Sequence, residues 1–161
     1  MSKEIFQFQY QVLSNKNLLP PTYSALMDQA IEARGNAYAP YSNFQVGAAV
    51  LLENGVIVLG NNQENAAYPS GLCAERVAIF YAGANYPGVA IKAVAISANA
   101  ALQPLEKPAA PCGNCRQSMA EYEQKQQSPM AVFFMGASGS VILCESVLHL
   151  LPFAFGGAFL K

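Results

Sequence analysis

Two short stretches carry the residue types best suited to chemistry. In "SGLCAERVAIF", residues 70–80, a thiol (Cys73), a carboxylate (Glu75) and a guanidinium (Arg76) fall within four positions, just past a turn. In "PCGNCRQ", residues 111–117, Cys112 and Cys115 form a CxxC pair, and at a helix onset that spacing puts both sulfurs on one side, within reach of one ion. Alone, the pair reads equally well as a metal site or a redox dithiol. Cys73, a third thiol at a second helix start, tips the reading to metal.

Three thiolates suit zinc in tetrahedral geometry and leave one position for water, the pattern of a catalytic site. Water held there has its pKa lowered toward about 7. Three thiolates also overcompensate the ion's charge. Helix N-termini offset that excess, and so do Arg76 and Arg116, with Arg76 the favoured partner. Glu75 is placed for general acid/base work on the water. Two positions on a regular helix are about 200° apart, so it reaches the water only if Cys73 lies at the helix cap. Cys144, in the apolar run "VILCE", reads as a buried small hydrophobe; as a fourth ligand it would make the site closed and structural. His149, the single histidine, falls in "VLHLLP" and reads as a packed or edge residue.

The elements that must position these groups follow from pattern. Phe6, Phe8, Tyr10 and Val12 alternate with glutamines, so a half-buried N-terminal edge strand is expected within residues 1–19. "TYSALMDQAIEAR" reads as a helix, and "FQVGAAVLLENGVIVLGNN" as a hairpin turning at Asn54-Gly55. Val77, Phe80, Tyr81 and Ala84 follow Cys73 at helical spacing. "GVAIKAVAISA" reads as a strand buried on both faces, as in a parallel sheet. Cys112, Cys115, Met119 and Tyr122 share the face of a further helix, and two strands and a short closing helix follow. The expected fold is a three-layer α/β/α sandwich with a mixed sheet of about five strands, plus the N-terminal edge strand, in a single domain over 1–161.

Composition narrows the partners. Charged residues make up 12% of the chain, the net charge is −1, and 53% of residues are hydrophobic. No electrostatic footprint exists for a nucleic acid polymer, and no apolar run is long enough to span a membrane. The N-terminus lacks the apolar core of a signal peptide, and four cysteines then point to metal or catalytic use in a cytoplasmic protein.

C-A-E followed some 36 residues later by P-C-x-x-C resembles the zinc deaminase signature, with cysteine in the first ligand position. "YAPYSNFQVGAAV", "NNQENAAYPSGLCAERVAIF", "PCGNCRQ" and "LLPFAF" look like successive blocks of the short-chain, homotetrameric cytidine deaminases, over roughly residues 22–155. The resemblance implies one Zn²⁺ per subunit on Cys73, Cys112 and Cys115, with Glu75 as the proton shuttle that also contacts the pyrimidine N3. It implies nucleoside contacts from Phe44, Asn62, Glu64 and Ala74, and an arginine, Arg76, bonded to the thiolates. Phe155 matches an aromatic donated to a neighbouring subunit's site. The implied reaction is hydrolytic deamination of cytidine and 2'-deoxycytidine in pyrimidine salvage. Deamination of another small cytosine compound, a structural four-cysteine zinc protein and a redox CxxC protein stand as alternatives.

Overall fold

The structure is a computed structural model and describes residues 1–160. In chain order its elements are β1 (Gln11–Leu13), α1 (Pro21–Arg34), β2 (Phe44–Leu52), β3 (Ile57–Asn61), α2 (Ala74–Asn85), β4 (Ile91–Ala100), α3 (Gly113–Gln126), β5 (Ala131–Met135) and β6 (Val141–Cys144). Short 3-10 turns lie between them, including Val147–Leu150 near the end.

Alternation along the strands builds two apolar layers. Ala48, Val50, Val94, Ile96, Val132 and Phe134 face α2 and α3, while their neighbours Ala49, Ala93, Ala95, Ala131 and Phe133 face α1. The side chains on the α1 side are mostly alanine, which lets that helix sit close. The result is a three-layer sandwich around one six-stranded sheet, ordered β1-β6-β5-β4-β2-β3. The β2–β3 hairpin turns where expected, with Gly55 at φ 85°, a conformation only glycine adopts without cost.

Several expectations change. β4 is buried along most of its length, but it runs parallel only to β5 and antiparallel to β2. Burial therefore comes from helices on both faces, which a mixed sheet also provides. On α2 the buried residues are Ala74, Glu75, Ala78, Ile79 and Ala82, whereas Phe80 and Tyr81 are exposed. Small residues won the inner face because β3 approaches closely there: a Cβ on Gly60 would stand 2.5 Å from the Ala74 carbonyl oxygen and 2.7 Å from the Ala78 nitrogen. On α3 the buried set is Cys115, Met119, Ala120 and Glu123, with Tyr122 half-buried.

The N-terminal strand lies at the sheet edge but is shorter than its alternation suggests. Gln11–Leu13 pairs antiparallel with Val141–Leu143 of β6. One residue further β6 ends, so Phe6 to Tyr10 have no ladder to join. Phe6, Phe8, Tyr10 and Val12 are all exposed.

Candidate metal centre and nucleoside pocket

The metal candidates stand where two helices begin. Cys73 is the N-cap of α2 and Cys112 the N-cap of α3, both with extended backbone. Cys115 lies in the first turn of α3, fully buried. Their sulfurs come together: Cys73 Sγ is 4.0 Å from Cys112 Sγ, Cys112 Sγ is 3.5 Å from Cys115 Sγ, and all three lie within 4.8 Å of one another. Tetrahedral zinc with bonds near 2.3 Å needs sulfurs about 3.8 Å apart, so the donor set fits that ion.

The thiols also share charge as a site for a cation does. Contact with Cys115, then the neighbouring Arg76 and Cys112, brings the Cys73 thiol down to about 5 against the effect of burial. Cys115 is pushed up by that same contact, by burial and by the charge of Glu75. Arg76 stands close enough to help lower the Cys73 thiol, and its Nε has no hydrogen-bond partner.

Glu75 follows the Cys73 cap by two residues and is 4% exposed. Burial pushes its carboxyl above the ordinary range, with the charge of Cys73 adding to the effect, and its Oε2 has no partner. A buried carboxyl oxygen left without a partner is costly, which marks Glu75 as a candidate to meet a ligand.

A cavity of about 230 Å³ opens beside these groups, bordered by Phe44, Asn62, Glu64, Cys73, Glu75 and Cys112. A second cavity of about 390 Å³ adjoins it, sharing Ser42, Asn62, Glu64 and Cys73 and bounded outside by Tyr41, Tyr68 and Leu72. The inner space is small for a drug-sized ligand and suits one small molecule.

Asn62 and Glu64 are preorganised by backbone. Asn62 Oδ1 accepts from the Val46 N–H at 2.8 Å and its Nδ2 donates to the Phe44 carbonyl at 2.9 Å, so this side chain fixes the start of β2 and with it Phe44. Glu64 Oε2 accepts from the Tyr41 and Ser42 N–H groups at 2.9 and 3.3 Å, and Oε1 from the Ser42 hydroxyl. These bonds, that of Ser42 foremost, hold the carboxyl below its usual range. One Nδ2 hydrogen and part of the carboxylate remain for a ligand. Ala74, fully buried, opens α2 between Cys73 and Glu75.

Other candidates lie elsewhere. Arg116 does not turn to the thiolates: its Nε donates to the Pro111 carbonyl at 2.8 Å and its Nη1 to the Leu150 carbonyl at 3.0 Å. Cys144 is buried on β6 and is not one of the clustered thiols, which removes the four-cysteine alternative. His149 stacks on Phe8 at 5.8 Å. Phe155 borders neither cavity and is 56% exposed, stacked on Phe159. Sequence reasoning missed Ser42, the partner of Glu64, and Ala109 and Ala110 on the cavity wall. The latter pair could have been found, because the segment that leads into the helix start at Cys112 must pass beside the cavity that Cys112 borders.

Comparison with known proteins agrees with this geometry. The model of the "cytidine and deoxycytidylate deaminase zinc-binding region" matches residues 20–130. Cytidine deaminase of Halalkalibacterium halodurans is 47% identical over 60% of this chain and 68% of its own, and that of Sporosarcina psychrophila 42% over 81% and 88%. The crystal structure of cytidine deaminase from Burkholderia pseudomallei superposes with a TM-score of 0.70 at 42% identity, covering 81% of this chain and 97% of that one. Matched across both helix starts that carry its three clustered thiols, this chain belongs to the zinc-binding cytidine and deoxycytidylate deaminase family.

Proposed function

We infer that the protein is a zinc-dependent cytidine deaminase that hydrolyses cytidine and 2'-deoxycytidine to the uridines and releases ammonia. One observation carries the reading: three sulfurs gathered at two helix starts share a cavity wall with a buried carboxyl whose Oε2 is unpartnered. Relatives named cytidine deaminase at 42–47% identity support it.

Cys73, Cys112 and Cys115 would hold the zinc, which when bound supplies the Lewis acidity that makes water nucleophilic at neutral pH. Glu75 takes the proton of the attacking water and passes it to ring N3. It then takes the proton of the new C4 hydroxyl and gives it to the amine, so that the C4–N bond breaks, the carbonyl forms, ammonia leaves and the carboxyl returns to its starting state. A carboxyl whose affinity for protons is raised by burial suits both halves of that relay. Phe44 packs against the nucleoside, the remaining polar capacity of Asn62 and Glu64 takes the ribose hydroxyls, and Ala74, between Cys73 and Glu75, adds a further contact to it. Arg76 holds the thiolate charge. Val46, Ile96 and Ala98 keep the inner wall apolar.

The assembly proposed is a homotetramer in which Phe155 completes a neighbour's pocket. Its exposed ring, together with exposed Phe153, Tyr68, Leu72 and Phe80, provides apolar surface for such contacts. A cytoplasmic role in pyrimidine salvage goes with this reading; no helix among the described residues is long and apolar enough to cross a membrane. Incubation of the purified protein with cytidine, following loss of the cytosine chromophore, tests the proposal. Turnover that vanishes in Glu75→Ala while zinc is retained is expected; full turnover in that variant contradicts it.

A further inference from the structure

The C-terminal segment after β6 is fastened to α3 at three points. Glu123 accepts from the Ser146 hydroxyl and, at 3.1 Å, from the Val147 N–H. Arg116 reaches the Leu150 carbonyl, and Gln117 Nε2 donates to the Phe155 carbonyl at 2.8 Å. Arg116 differs from the other two because its Nε also holds the carbonyl of Pro111, the residue that leads into Cys112. One planar guanidinium thus ties the metal loop and the tail to the same helix turn, next to Cys115. Both acceptors are backbone carbonyls, fixed in direction, so the fork geometry of arginine is needed to satisfy both.

We propose that Arg116 is a positioning residue that couples the metal loop to the tail, so that zinc retention in a subunit and the placement of Phe155 depend on one side chain. The consequence for nucleoside binding rests on the deaminase reading, in which Phe155 serves a neighbour's pocket. The consequence for zinc does not. The side-chain hydrogen bond of Gln117, among the described residues, goes to the tail and not to the metal loop, so its removal serves as the partial cut.

The experiment compares Arg116→Gln, Arg116→Lys and Gln117→Ala as zinc-loaded proteins. It measures the rate of zinc transfer to a chelator, limited proteolysis of the tail, and KM and kcat for cytidine. Arg116→Gln is expected to release zinc about tenfold faster, to expose the tail to protease and to raise KM more than it lowers kcat. Arg116→Lys, with a single ammonium, recovers one contact and falls between that variant and the parent. Gln117→Ala raises KM and leaves zinc release at the parent rate. Leu26→Ala, a destabilising change on the far face of the sheet, lowers the Tm without accelerating zinc loss.

Zinc release in Arg116→Gln at the parent rate overturns the coupling, and so does faster release with tail proteolysis unchanged. Should Arg116→Gln not fold, an Arg116→Lys protein identical to the parent in both zinc release and proteolysis overturns it equally. Absence of cytidine turnover in the parent protein sinks the deaminase reading instead, while zinc release and proteolysis still decide the coupling.

Discussion

The metal end and the N-terminal arm are both marked by a strong sequence pattern, and they part in what surrounds them. At the metal end, Cys73 and Cys112 cap helices packed on the sheet, and Glu75 is 4% exposed beside them. In the arm, the alternation of Phe6, Phe8, Tyr10 and Val12 outruns its partner strand, and those side chains stay 40–63% exposed. A pattern becomes structure only where the rest of the chain supplies the other half of the contact.

The contrast makes removal of a ligand the most damaging change. Cys115→Ala is expected to abolish zinc binding and turnover together, read by metal analysis and the cytidine assay. Next comes Glu75→Gln, which keeps the zinc and lowers kcat by roughly 100- to 10,000-fold.

The metal end also depends on a close approach of backbone. Gly60→Val places side-chain atoms against the Ala74 carbonyl and the Ala78 nitrogen and is expected to cost about 1–3 kcal/mol, seen as a lower Tm, with reduced turnover as the start of α2 shifts. At the same position Gly60→Ala costs less, and the difference between the two measures how tightly β3 holds that helix.

A smaller effect comes from Cys144, whose thiol burial pushes up, with Arg116 opposing. A raised folded value means that the neutral form stabilises: the contribution is complete below the unfolded thiol value near 8.5 and is lost as pH rises through the folded value. Tm should therefore fall less steeply above about pH 8.5 in Cys144→Val than in the parent. The arm is the mildest case. Deleting residues 1–10 should leave cytidine turnover within about twofold and Tm within a few degrees, because these residues lack a ladder and are exposed. A large loss of activity on that deletion would remove the contrast between the two regions.

What could be read in the sequence follows the same division. The Cys73–Glu75 spacing, the CxxC pair and Pro111 mark helix starts through local chemistry, and the Asn54-Gly55 turn marks its hairpin. The inner face of α2 could not be read that way. Its apolar residues Phe80 and Tyr81 point outward because the close approach of Gly60 favours alanines, a fact held in a strand some 20 residues distant. Arg116 looked suited to the thiolates by its neighbourhood; its true acceptors include the Leu150 carbonyl, 34 residues on, which no local pattern reveals. The bonds from Asn62 to the Phe44 and Val46 backbone were hidden for the same reason.

The central claim is that three sulfurs hold one zinc and leave a coordination position beside Glu75. X-ray absorption at the zinc edge of the purified protein tests it most directly. The account predicts three sulfur neighbours near 2.3 Å and one oxygen near 2.0 Å, at one zinc per chain. Four sulfur neighbours, or a protein that binds no zinc, would contradict it.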